Sequence, residues 1–189
     1  DKNIPLMRVA DIRIAGSHNL ANVAAAFAIA AAAGWNIAAC VEAVKQFKGL
    51  PHRCQWVAEK HSVRFYNDSK GTNIGATVAA IEGLCDGINI VLIAGGDGKG
   101  ADFSQLAPVV RQYVRCLVLI GRDAGKIAAA CEGVRQVIAN SMVDAVQKAQ
   151  QAAIAGDVVL LSPACASFDM FEGYDDRGRQ FCAAVEALV

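Results

Sequence analysis

Three short stretches of the chain hold most of the residues able to do chemistry: "NDSKGTN" (67–73), "GGDGKG" (95–100) and "SPACASFD" (162–169). The middle one follows an apolar run and ends in a lysine among glycines, a pattern that first points to phosphate. A phosphate loop of the G-x-x-x-x-G-K-[ST] type needs a hydroxyl after its lysine to hold magnesium. Here Lys99 is followed by Gly100, and position 93, where the first glycine belongs, is Ile. A dinucleotide fingerprint matches loosely through Gly96, Gly98 and Ala101. Against it, the next helix is predicted to start near Asp102 to Ser104 and carries Pro108 in its second turn. What remains is a lysine on a tight turn at a strand's carboxyl end, suited to an anion such as a carboxylate. A solvated lysine in a surface turn is the plain alternative.

The other stretches divide in the same way. Asp68 ends a predicted strand, where a carboxylate can accept ribose hydroxyls, while free N–H groups at the following helix start face an anion. Equally, Ser69 or Thr72 can simply cap that helix. Ser167 reads as a hydroxyl at a helix start, again a ligand group or a cap. "GSHNLAN" (16–22) sets His18, Asn19 and Asn22 at the head of a helix, with His18 and Asn22 on one face. These groups can read an adenine edge or bond the backbone. His52 and Arg53 can serve a phosphate or stay solvated.

The elements that must position these residues are legible from about Tyr66 onward. Strands are predicted at "VRFYND" (63–68), "INIVLIAGG" (88–96), "CLVLIG" (116–121), "VRQVIA" (134–139) and "DVVLLSPA" (157–164). Between them lie 72–84, 102–114, 123–133 and 142–156, each with apolar residues at helical spacing, and 177–189 forms a last helix. Strands separated by helices of ten to fifteen residues imply right-handed crossovers and a mostly parallel sheet. Ligands then sit outside the carboxyl ends of the strands, where the three chemical stretches fall. The first fifty residues differ. "MRVADIRIAG" (7–16) reads as one or two strands, followed by an Ala-rich helix and a second helix at 36–47. This strand-helix-helix lead-in reads as the tail of a preceding domain, with "KGLPHR" (48–53) as the junction. The boundary is placed near residue 50, giving 1–49 and 50–189.

Composition narrows the class. The 189 residues are 54% hydrophobic with 17 glycines, which suits an α/β protein with strands buried on both faces. Lys plus Arg and Asp plus Glu are both 18, so no basic excess supports a nucleic-acid binder. The 7 cysteines lie fourteen or more residues apart, which fits neither a zinc knuckle nor a disulfide framework and implies a reducing compartment. The most apolar window, thirteen residues from Val23, is too short to span a bilayer and is expected to be a buried helix.

Taken in order, "GSHNLANVAAA", "LPHR", "NDSKGTN", "GGDGKGADF" and "SPACASFD" resemble the Mur ligase family of bacteria, in its D-glutamate-adding branch. The resemblance covers essentially the whole chain and implies a Rossmann-like α/β domain preceded by the tail of a central ATP-binding domain. It implies ATP-dependent amide formation, in which the terminal carboxylate of UDP-N-acetylmuramoyl-L-alanine becomes an acyl phosphate and the D-glutamate amine attacks it. By similarity, Thr72, Lys99 and Ser167 hold the D-glutamate carboxylates, with Phe168 and Tyr174 nearby, where relatives more often carry Leu and Phe. Asn22 meets the adenine with His18 and Asn19 beside it. Asp68 meets the ribose, Arg53 the ribose or phosphates, and Asn73 lies close. His52 and Lys70 are the candidates for a catalytic part. The family's phosphate loop and magnesium ligands are expected upstream, since no G-K-[ST] occurs in these 189 residues. The chain is therefore expected to be a fragment without turnover of its own, from a cytoplasmic, monomeric enzyme that engages neither membrane nor nucleic acid. A non-catalytic small-molecule or dinucleotide-binding module, or a protein-interaction domain with a large apolar patch, are the competing classes.

Overall fold

A computed structural model describes residues 5–189. Its centre is a six-stranded sheet in the order β1-β2-β6-β3-β4-β5. The strands are β1 (Gln55–Lys60), β2 (Val63–Asn67), β3 (Ile90–Gly95), β4 (Val114–Ile120), β5 (Arg135–Ile138) and β6 (Val158–Leu161). All neighbours pair parallel except the β1–β2 hairpin at one edge, which carries a register shift between Trp56 and Ala58.

The central strands are apolar throughout because both faces are covered. Along β3, Ile90, Leu92 and Ala94 face one core while Val91 and Ile93 face the other. The first core is closed by α3 (Ile74–Leu84), α4 (Ala107–Tyr113) and α5 (Ala124–Ala130), the second by α6 (Met142–Ala152) and α7 (Tyr174–Glu186). Two earlier helices, α1 (Ser17–Ala32) and α2 (Ile37–Gln46), precede the sheet in sequence. The mostly parallel α/β class is as the sequence implies.

Several local expectations are corrected. Residues 7–16 form no strand; Val9–Asp11 is a 3-10 turn, closed by Ile12 N–H to Val9 O and by the Arg8–Asp11 ion pair at 2.9 Å. A strand needs a paired neighbour, and this segment pairs with no strand of the sheet. β1 went unread because its edge position leaves it half polar. The helix at 102–114 is split: Phe103–Leu106 is a 3-10 turn capped by Asp102, and Pro108 falls in the first turn of α4, where its missing N–H does no harm. The cap of α3 is Asn73, whose side chain accepts from Ala76 N–H at 2.9 Å, so neither Ser69 nor Thr72 fills that role. The Ala-rich helix α1 is not buried all round; it buries only Val23, Phe27 and Ala30 and leaves Ile29 67% exposed.

Even so, α1 is docked. The His18 ring lies 3.2 Å from the Ala79 carbonyl of α3. At that crossing a Cβ on Gly83 would sit 3.0 Å from the Gly16 Cα and 2.8 Å from His18 Nδ1, so only glycine allows the approach.

Candidate functional site

The carboxyl ends of β2, β3 and β6 lie side by side, and hydrogen bonds join the loops that leave them. Asp97 and Ala166 exchange two backbone bonds, of 3.0 and 2.9 Å, which joins the 95–100 loop to the 162–169 loop. Ala164 N–H donates to Gly71 O at 3.0 Å and ties the latter loop to 67–73. Gly96, at φ +128, makes this possible, because a side chain there would collide with the Ala166 carbonyl. The loops carrying Thr72, Lys99 and Ser167 are thus brought together in one assembly.

Within it the side chains differ in how firmly they are held. Ser167 is buried, but it does not start a helix. Its carbonyl closes a turn onto Met170 and Phe171, and α7 begins only at Tyr174. The intervening Gly173 keeps an extended backbone, which breaks any continuous helix. Lys99 is exposed and left-handed at φ 50, with its N–H fixed on the Asp97 carboxylate at 3.0 Å. Phe168 is 76% exposed. Tyr174 receives the Lys70 ammonium 3.8 Å above its ring centroid and the His52 ring edge-on at 6.0 Å. His52 Nδ1 is also engaged, 3.0 Å from Asn67 Nδ2, and burial pushes its pKa down.

A second group surrounds a cavity of about 170 Å³ between α1, α3 and the end of β2. His18, Asn19, Asn22, Arg53, Asp68 and Lys70 line it together with Gly71. Asn19, Asn22 and Arg53 also border an apolar groove of about 480 Å³ whose walls include Val23, Phe47 and Leu50. Asn73 stands apart from this cavity, its side-chain oxygen taken by the α3 cap. Asp68 is the most constrained member. One carboxylate oxygen accepts from Cys54 N–H at 3.1 Å and the other from Ser162 Oγ at 2.8 Å. Burial nevertheless dominates and raises its pKa, against the opposing pull of those bonds. Each oxygen keeps a further lone pair for an incoming hydroxyl.

Four residues here were missed in the sequence. Ser162 and Thr77 support Asp68 from behind, their hydroxyl oxygens 3.1 Å apart. Asn67 holds His52, and Arg177 is fully buried beneath the 67–73 and 162–169 loops. Only Arg177 left a signal: it falls in register with Phe181, Ala184 and Val185 on the buried stripe of α7, an arginine where an apolar residue belongs. The described residues contain no group of three or more His, Cys, Asp or Glu side chains placed to hold a metal ion. Nor is any described helix long and apolar enough to cross a membrane.

The mostly parallel α/β fold that carries these loops has counterparts among known proteins. The family described as "Mur ligase, glutamate ligase domain" matches residues 52–165, and the chain belongs to the Mur ligase family, matching a carboxyl-terminal part of its curated relatives. Among curated relatives, the UDP-N-acetylmuramoylalanine–D-glutamate ligase of Saccharophagus degradans is 57% identical over 179 residues, covering 94% of this chain and 39% of that protein. The protein of the same name from Acinetobacter baylyi is 51% identical over 190 residues, covering 97% and 42%. The chain thus spans about two fifths of the length of these relatives. Solved structures at lower identity share the fold. A pseudomurein peptide ligase type C from Methanothermus fervidus aligns at TM-score 0.65 and 17% identity over 90% of this chain and 36% of its own. UDP-N-acetylmuramate-alanine ligase from Thermotoga maritima aligns at 0.60 and 14%, over 91% and 38%.

Proposed function

We propose that this chain is the D-glutamate-receiving part of an ATP-dependent ligase that joins D-glutamate to UDP-N-acetylmuramoyl-L-alanine in peptidoglycan precursor synthesis. The observation that carries this reading is the joining of the Thr72, Lys99 and Ser167 loops beside the cavity lined by Asn22, Arg53 and Asp68. A cation and two hydroxyls suit the two carboxylates of glutamate. A carboxylate, an arginine and two carboxamides suit the sugar, phosphates and base of ATP. Relatives at 51 and 57% identity that carry the D-glutamate ligase name support the same substrate.

In this reading residues 1–49 are the tail of the central ATP-binding domain and 50–189 the domain that closes over it. Lys99, Thr72 and Ser167 anchor D-glutamate, with Phe168 and Tyr174 at its flank. The amine is thereby held toward an acyl phosphate formed on the other substrate. Attack forms the amide bond and expels phosphate, and the domain's contribution is orientation and exclusion of water. His18 and Asn19 support Asn22 at the base. Lys70 lines the nucleotide cavity and sets its ammonium over Tyr174, which His52 meets edge-on. The phosphate loop and the magnesium ligands come from outside these 189 residues, so the chain alone turns over neither ATP nor substrate. The compartment is the cytoplasm and the complete enzyme a monomer.

The test is an NMR titration of the isotope-labelled chain with D-glutamate, with L-glutamate as control. Stereoselective shifts at Thr72, Lys99 and Ser167 are expected at millimolar ligand. Shifts of equal size with both enantiomers, or shifts confined to other surfaces, would remove the glutamate assignment from these loops.

A further inference from the structure

Arg177 is a fully buried cation, and every hydrogen bond of its guanidinium goes to a neutral acceptor. Nε donates to Ser69 Oγ at 2.9 Å, one Nη to Ser69 O at 2.8 Å and the other to Cys165 O at 3.1 Å. Ser69 and Cys165 belong to different loops: Ser69 lies three residues before Thr72, and Cys165 two before Ser167. Ser69 Oγ, having accepted from Nε, donates its own proton to Tyr174 O at 2.7 Å. A single planar fork therefore touches the Thr72 loop, the Ser167 loop and, through one hydroxyl, the start of α7.

Desolvating a guanidinium with no carboxylate bonded to it is costly, and burial lowers its pKa to about 10. Mere filling of the α7 stripe needs no charge; leucine or methionine would pack there at less desolvation cost. What they cannot do is hold three acceptors at fixed angles, which is the property of the guanidinium that lysine also lacks.

We infer that Arg177 is a positioning residue for the glutamate site: its fork sets the spacing between the Thr72 and Ser167 loops and the seat of Tyr174. The inference rests on the proposed substrate, since these loops are read as its carboxylate holders. Arg177 itself lies beneath the loops and acts through them.

The variant Arg177→Lys keeps the charge and loses the fork. Its titration with D- and L-glutamate, alongside a thermal midpoint, separates spacing from stability. The expected result is D-glutamate affinity weaker by about tenfold, the scale of a lost charge-assisted bond, and a smaller preference for D over L. The amides of Gly71, Thr72, Ala166 and Ser167 should move as well. Unchanged preference, with both affinities falling only as the midpoint falls, would make Arg177 a stability residue and overturn the inference. If the unmodified chain discriminates no glutamate enantiomer, the substrate reading fails on its own. The positioning claim then stands or falls on those four amides, and unmoved resonances in Arg177→Lys overturn it. Should Arg177→Lys not fold, Ser69→Ala removes the Nε acceptor and the donor to Tyr174. Displaced Tyr174 ring signals are expected there, and their absence would count against the inference.

Discussion

The helical lead-in and the sheet that follows it are built by opposite means. In β3 every residue is buried, and in β4 six of seven; in α1 three of sixteen are, and in α2 none. The sheet region holds itself together by burial on two faces. The lead-in meets it at a few points: Ala15 against the first core, the His18–Ala79 contact and the close approach of Gly16 to Gly83. Stability sits in one region, while several candidate nucleotide-binding residues sit in the other, which is the less firmly attached.

That contrast can be broken most directly at the centre. Leu92→Ala, in β3, should lower unfolding free energy by about 2–5 kcal/mol in a denaturant titration. Ile29→Ala on the exposed side of α1 should stay within about 0.5 kcal/mol. Comparable losses at the two sites would mean that the lead-in is as integral as the sheet. A smaller effect is expected where the regions meet. Gly83→Ala places a methyl against Gly16 and His18 and should cost about 1–3 kcal/mol of docking. Hydrogen exchange would then rise across 17–32 and stay unchanged in β3 and β4; protection lost evenly would show a single cooperative unit.

The smallest effect concerns Asp68, which lines the cavity shared by the two. Its folded-state pKa is raised, so the native chain holds this proton to higher pH than the unfolded chain does. Stability from this group is therefore greatest in acid and falls as pH climbs from the ordinary carboxylate range through the raised value. Asp68→Asn, which cannot ionise, should lack that decline. The stability difference between wild type and variant should shift in favour of the variant as pH rises through that window, and a difference that is flat with pH would contradict it.

The contrast also decides what a reader of the sequence can see. Runs such as "IVLIAG" announce buried parallel strands because they are short, rich in Ile and Val and end in glycine, unlike the longer Ala-rich run of α1. "QWVAEK" does not, since an edge strand alternates imperfectly and resembles a loop. Segment 7–16 misleads in the other direction, having strand-like residues and no neighbour to pair with. At the site, the strand-end loops were legible, because glycine, lysine and hydroxyl clusters after apolar runs are local signals. Their supports were not: Ser69 and Arg177 are 108 positions apart, and Ser162 meets Asp68 across 94. Only the fold brings such pairs together, and the misplaced arginine of the α7 stripe was the single trace of it.

The edges of the sheet carry a consequence for how separate copies of this chain meet. β5 is only four residues long and starts with an exposed arginine. β1 is kinked by its register shift, and the ammonium of Lys60, its last residue, is drawn to the Leu188 carbonyl. Short, bent and charged strands make poor templates for an incoming strand. The sheet therefore ends at each border instead of continuing into the next molecule, and concentrated solutions of the chain should resist fibrous, edge-to-edge aggregation.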